Sequence, residues 1–388
     1  MNNYLITLTP VNKFFFGGDM TFQVGEKDNS EFNLQFSSYI ISSNYFPQQT
    51  SLLGMLRFLI LSNSPYFKND KITNTIEVGK LIGEKSFSVE VKKGNDETKI
   101  EYPKNDFGMI DSISECFLQY KGDNMTDWID LSFLPFDSLF EVKSCDNTGI
   151  YNGEQKSIPT IEGFSVKNGY TKYVGFEGLE IPLSDIFVKD CRLGINRDIT
   201  TGKVEDDALF KQICYRLADK QYVYNEKRER VKDENGNDVT KPCRFRFAFR
   251  AQINDNTENG ILGGCNGQLV SIGGDNSQFI INLEEGKLKE KVSSDNKVVL
   301  QSPAYLTRKE VDNAAFAITE IVPFRFLNTS LETKSYHRLD NYVSRSVRYE
   351  LYDRGSVFYF DNNNKKVAFV DALKKRNDFR QIGYNQYK

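Results

Sequence analysis

The stretch FPQQTSLLGMLRF, Phe46 to Phe58, puts one cation on an otherwise apolar helix, and the reading of the chain turns on what that cation meets. Pro47 keeps the residue before it extended, and Thr50 or Ser51 is expected to cap the helix. Leu52, Leu53, Met55, Leu56, Leu59, Ile60 and Leu61 spread apolar side chains around most of its surface, so the helix belongs in an interior. Thr50, Gly54 and Arg57 fall at i, i+4 and i+7, a narrow stripe that is small or polar. That stripe suits a phosphate backbone, because a helix N-terminus offers free N–H groups, glycine permits close approach and arginine forks onto phosphate oxygens. The alternative is an internal pair between Arg57 and a carboxylate.

A chain of 388 residues is long for one core and predicts two domains. Thirty Phe and twenty Tyr against one Trp and five Met favour pleated, half-buried faces, hence a strand-rich α+β protein. The 50 basic and 53 acidic residues leave a formal charge of −3, which excludes a strong general basic field and confines any nucleic-acid surface to a local patch. The six cysteines, at 116, 145, 191, 214, 243 and 265, never form CxxC and have only His337 as an imidazole companion. Neither a zinc site nor a disulfide scaffold is expected. The start, MNNYLITLTP, has no secretory character, and the longest apolar run, Leu52 to Leu61, is broken by Arg57 and well short of the roughly 20 residues a span needs. A cytoplasmic chain with no membrane partner is the expectation.

Tyr4 to Leu8 reads as a first strand, followed by Pro10 and the loop FFFGGDMTF, residues 14 to 22. A short strand is expected at Ser86–Val91. The segment CRLGINRDITTGKVEDDALF, residues 191 to 210, has the composition of a projecting hairpin, with Arg192 and Arg197 flanking Gly194 and Ile195. Tyr222 to Thr240 reads as a solvated hairpin or mobile insertion around Glu234-Asn235-Gly236-Asn237. CRFRFAFRAQ, residues 243 to 252, alternates cleanly: Phe245, Phe247 and Phe249 form a core face, and Arg244, Arg246 and Arg250 a cationic one. SIGGDNSQF, residues 271 to 279, leads into a strand at Phe279–Leu283. Strands at Val347–Leu351 and Ser356–Phe360 and an amphipathic helix at Lys365–Lys375 close the chain.

His337 is the only histidine, so triad chemistry and two-histidine metal motifs all depend on it, and its polar setting, KSYHRLD, reads as solvent-exposed. A general base for RNA cleavage is the sharp alternative at that residue. In GGDN, residues 273 to 276, only Asp275 is acidic and Asn276 follows, too few carboxylates for two-metal catalysis. Consecutive N–H groups in a glycine turn instead form a concavity that fits phosphate. Together with Arg57, Arg192, Arg197 and the arginines of 243–252, the two glycine loops make a local basic track beside aromatics, and single-stranded RNA becomes the natural ligand class.

Five collinear segments resemble one family, subunit three of the type III-B CRISPR–Cmr complex within the RAMP superfamily. They are LTPVNKFFFGGDMTF at 8–22, FPQQTSLLGMLR at 46–57, Arg192-Leu193-Gly194-Ile195-Asn196-Arg197-Asp198 with Leu209-Phe210, Gly273-Gly274-Asp275, and GSVFYF at 355–360. The sequence departs from the family pattern at Asp19, which follows glycine where an arginine is usual, and after Asp275, where no arginine follows. The resemblance implies two ferredoxin-like (RRM-like) domains with glycine-rich loop and thumb hairpin insertions, divided here as residues 1–190 and 191–388. It further implies a non-catalytic subunit with no cofactor that grips the 5′ tag of the crRNA. Implied neighbours are the large polymerase-like subunit, the backbone subunit and target RNA near the tag-proximal end, with the thumb within Asp198 to Phe210. On this reading the RNA meets Gly17, Gly18, Gln48, Thr50, Ser51, Gly54, Arg57, Arg192, Gly194, Ile195, Arg197, Arg244, Arg246, Arg250, Gly273, Gly274, Asp275 and Asn276. A RAMP-type endoribonuclease acting through His337 on precursor crRNA is the alternative.

Overall fold

The computed structural model of the chain describes residues 2–17, 20–24, 36–89, 92–93, 100–101, 104–139, 141–143, 148–151, 154–157, 160–162, 171–197, 200–201, 204–226, 228–255, 260–286, 296–328 and 344–388. In chain order, the elements that position the site are β1 (Asn2–Pro10), β2 (Met20–Val24), β3 (Phe36–Ser42), α1 (Gln49–Ser62), α2 (Thr75–Ile82), β4 (Ile110–Ile113), β5 (Phe117–Gly122), β6 (Ile129–Asp130), β7 (Phe187–Arg197), β8 (Val204–Leu217), β9 (Lys220–Tyr222), β10 (Thr240–Ile253), β11 (Leu269–Ser271), β12 (Gln278–Glu285), β13 (Lys297–Val299), β14 (Phe316–Ile318), β15 (Val357–Tyr359) and α3 (Asn363–Lys375).

The alternating segment CRFRFAFRAQ lies in β10, near the middle of the largest sheet. The strands run in the order β6-β5-β10-β1-β12-β11, with β4 and β9 also paired to β10, and every pairing is antiparallel. A second sheet runs β7-β8-β3-β2, where β8 and β3 are parallel, and a third runs β13-β15-β14. The protein is a sheet-rich α+β chain, as its aromatic composition indicates. The division expected at 190/191 falls inside β7, and β1 lies between β10 and β12, which come from the other side of that division.

Strand alternation decides the core. Phe247 and Phe249 are fully buried and Phe245 nearly so, and Phe14 stands edge-on to Phe247 at 5.4 Å between ring centroids. All seven aliphatic and methionine side chains of α1 named above are buried in the same core, each such burial stabilising by about 1.5–3 kcal/mol. The helix starts at Gln49, with Gln48 as an N-cap that makes no capping bond, so Thr50 and Ser51 fall inside the first turn and cap nothing. Gln49 does the fastening instead. Its buried amide donates to the carbonyls of Ser114 (2.7 Å) and Ile382 (2.8 Å) and accepts from the Cys116 N–H (3.2 Å).

One other local expectation changes. Residues 86–89 form no strand, and 90–91 lie outside the described residues. The 222–240 segment is a mostly exposed hairpin, the first of the two expected readings, bridged at Tyr224–Arg230 and Lys232–Asp238 and pinned to the body of the protein. The Arg230 guanidinium lies 3.6 Å from the centre of the Tyr222 ring and bonds Asp185 at 2.9 Å and Asp238 at 3.1 Å. The Tyr224 hydroxyl donates to the same buried Asp185, and Arg228 pairs with Glu180 at 2.7 Å. A buried carboxylate such as Asp185 needs these partners, and the polar composition of the insertion supplies them. Among the described residues, no helix is long and apolar enough to cross a membrane.

Candidate functional site

The triple-phenylalanine loop is the hub that joins three distant segments. Phe14 exchanges backbone hydrogen bonds with Tyr215 in β8, at 2.8 and 3.0 Å. The Phe15 N–H donates to Ser277 Oγ (2.9 Å), and its carbonyl accepts from the Gly274 N–H (2.8 Å). The Phe16 N–H donates to Ser43 Oγ (2.9 Å), and the Gly17 carbonyl accepts from the Asn44 N–H (2.8 Å), just ahead of α1. Gly273 has φ +90°, and a Cβ there would lie 2.3 Å from the Phe15 carbonyl oxygen, so only glycine lets the turn approach the loop so closely. Asp275 and Asn276 follow in left-handed conformations, with φ 53° and 52°, and the Asn276 side chain accepts from Ser271 Oγ at 3.0 Å. Arg192, exposed on β7, reaches Asp275 at 3.5 Å, and Lys13 pairs with Asp190 at 3.0 Å.

Gly17, Arg192, Gly273, Gly274, Asp275 and Asn276 are thereby gathered around one loop. Gly17 and Gln48 also line a cavity of about 640 Å³, whose lining includes the cations Lys172, Arg325, Arg348 and Arg354 and the carboxylates Glu320 and Asp353. Sequence reading did not single out these four cations, although Arg354 directly precedes Gly355 of the quoted GSVFYF segment. The buried Nε of Arg354 has no hydrogen-bond partner, and its guanidinium lies 4.7 Å from the Phe46 ring centre. Burial pushes the Lys172 ammonium down, but Asp353 and Glu320, the latter at 2.8 Å, outweigh it and hold the pKa above the usual lysine value.

On α1, Ser51 and Gly54 are exposed, open space surrounds Gly54, and Thr50 is half-buried with its hydroxyl 3.5 Å from Gln48 Oε1. Arg57 meets backbone carbonyls rather than a carboxylate. Its Nε donates to the Ile82 carbonyl and its Nη2 to that of Lys85, each at 2.5 Å, so it fastens the chain at the C-terminal end of α2. Burial pushes its pKa down to about 10, opposed by Asp106.

The cationic face expected on β10 is covered. Arg244 is exposed, but Arg246 and Arg250 are only 8% and 7% exposed. Trp128 lies 4.3 Å from the Arg246 guanidinium, which bonds Gln119 (2.7 Å) and Glu284 (3.2 Å), and Arg250 pairs with Asp130 at 2.5 Å. Asp130 stands beside Gln119, which stands beside Arg246, all on one face of the sheet, and burial lowers the pKa of Arg246 against the pull of Glu284. Gly194 is half-buried in β7, which forms a long hairpin with β8, Ile195 opposite Leu209 and Arg197 opposite Val204. The side chains of Ile195 and Arg197, and all of Gly18, Asp19 and His337, lie outside the described residues. Cys116, Cys191, Cys214, Cys243 and Cys265 are unpaired thiols, and among the described residues no group of three or more His, Cys, Asp or Glu could hold a metal.

A family profile described as CRISPR-associated protein (Cas_Cmr3) matches residues 142–387. The chain belongs to this family. Three of the five segments quoted above, at 192, 273 and 355, lie inside the match, and the membership they led one to expect is borne out. Two cryo-EM structures of the type III-B Cmr-beta bound to cognate target RNA, one of them also with AMPPnP, contain chains similar to this one. Their identities are 12% and 13%, with 99% of this chain and 95–96% of those chains covered, each at a TM-score of 0.44. A likeness that distant carries no functional argument. No curated protein matches the sequence.

Proposed function

We propose that this Cmr3-family chain is a non-catalytic subunit of a cytoplasmic type III-B complex and that it grips the 5′ repeat-derived tag of the crRNA. The observation that carries the reading is the lacing of the Phe14–Gly17 loop to the Gly273–Asn276 turn, to β8 and to the entry of α1. That arrangement sets Arg192 at the glycine turn and Gly17 at a cavity whose lining includes four cations, on a chain with a net charge of −3. Gly17, Gly18, Gln48, Gly273 and Gly274 shape the path, Thr50, Ser51 and Gly54 offer the open side of α1, and Arg192 meets phosphate. The β7–β8 hairpin with Gly194, Ile195 and Arg197 acts as the thumb, within a pair of ferredoxin-like domains. Arg57, Arg246 and Arg250 support the fold rather than the RNA, because each is bonded to this chain's own oxygens and less open to water than Arg192. The large polymerase-like subunit and the backbone subunit complete the groove and neutralise the remaining phosphates.

The test is photocrosslinking in the assembled complex, with 4-thiouridine placed in the tag. Crosslinks within residues 13–17, 44–54 or 271–277 support the reading, and crosslinks only to other polypeptides overturn it. Repeat RNA is expected to stay intact with wild type and with His337→Ala alike. Cleavage by wild type that the variant loses makes the chain an endoribonuclease.

A further inference from the structure

The ion pairs Lys13–Asp190 and Arg192–Asp275 stand together at the place where the phenylalanine loop, β7 and the glycine turn meet. Asp190 and Arg192 are two residues apart on β7 and so share one face, and Cys214 lies directly opposite Asp190 on the same face of the hairpin. Burial raises the pKa of the Cys214 thiol, and Arg192, Lys13, Asp275 and Asp190 all act on it electrostatically, which gathers the four charges about one point. Each pair is partly open to water: Lys13 and Asp190 are 28% and 37% exposed, Arg192 and Asp275 49% and 43%. Two cations suited to phosphate are therefore present, each neutralised by a weakly held carboxylate of the same chain.

We propose that Asp275, with Asp190 beside it, is a built-in stand-in for RNA phosphate that occupies Arg192 and Lys13 in the free chain and releases them when the RNA backbone arrives. The inference rests on the RNA-binding reading above and adds a regulatory layer to that site. An arginine–phosphate contact is charge-assisted and bidentate, whereas the Arg192–Asp275 contact is a single long one at 3.5 Å, so phosphate wins the exchange. A nucleic acid that makes only one or two contacts gains little by displacing the carboxylates. A strand that also fills the glycine cradles gains several contacts at once. The free surface thus stays locally neutral and discriminates against stray polyanions.

The experiment measures fluorescence anisotropy of a labelled single-stranded RNA, carrying the repeat-derived tag, with the full chain at low and physiological salt. Asp275→Asn suits the turn, since asparagine tolerates the left-handed conformation found there. It is expected to tighten binding about threefold to tenfold, most at low salt. The gain should vanish in an Arg192→Ala background. Asp312→Asn, an identical charge change at an exposed position on another element, should stay within about twofold of wild type. Unchanged or weaker binding by Asp275→Asn, or a gain that survives without Arg192, overturns the stand-in role while leaving RNA binding intact. If none of the chains binds the RNA, both readings fall.

Discussion

Arg192 on β7 and Arg250 on β10 occupy strands whose sequences advertise cations, yet the first is 49% exposed and the second nearly sealed. The difference lies in the neighbours that folding brings beside each strand. Arg250 is held by Asp130, two strands away on the same sheet face, while among the described residues Arg192 pairs with Asp275 at the tip of the glycine turn. An arginine is available to a ligand when its own chain has left donors uncommitted, and the number of arginines on a face does not measure that.

The sharpest way to break this contrast is Arg250→Ala. Removing one partner of a sealed pair strands the other charge, so the change should cost about 3 kcal/mol, the low end for such losses because Asp130 keeps some solvent. Urea denaturation would show it, and RNA affinity per folded molecule should stay unchanged. A marked loss of affinity with normal stability would put Arg250 in the RNA site after all. Arg57→Ala comes next. It removes two charge-assisted bonds to carbonyls and should cost about 2 kcal/mol, with faster amide exchange around residues 82–85 as the local signature.

A pH series sharpens the picture of the core beneath both strands. Burial pushes the Cys116 thiol from 9.0 up to about 12. Between those values the unfolded chain has released a proton that the folded chain retains, so stability should fall as pH climbs through that window. The slope of Tm against pH above 9.0 should be shallower in Cys116→Ala than in wild type, and equal slopes would sink the assignment. The smallest stability effect belongs to Arg192→Ala, less than about 1 kcal/mol for an exposed pair, although RNA binding should weaken about threefold to tenfold. If stability collapses instead, the two arginines are alike and the contrast fails.

Much of this protein was legible from residue order alone. Clean alternation at 243–252 fixed which way Phe245, Phe247 and Phe249 face, and the apolar run at 52–61 required a buried helix, because strand and helix periodicities are local properties of the backbone. The collinear glycine, arginine and aromatic segments were enough for the family. Gln49 escaped notice, since a glutamine beside a helix entry looks polar and idle until the Ser114 and Ile382 carbonyls arrive from 65 and 333 residues away. The same limit hid the partners of Arg246, the carbonyls that take Arg57, and the four cations that line the cavity with Gln48. Facing is set by neighbours in the chain, whereas cover and pairing are set by segments brought together only on folding. Tertiary structure alone therefore decided which arginines stay open: the bonds that occupy the others run to distant oxygens that no local pattern encodes.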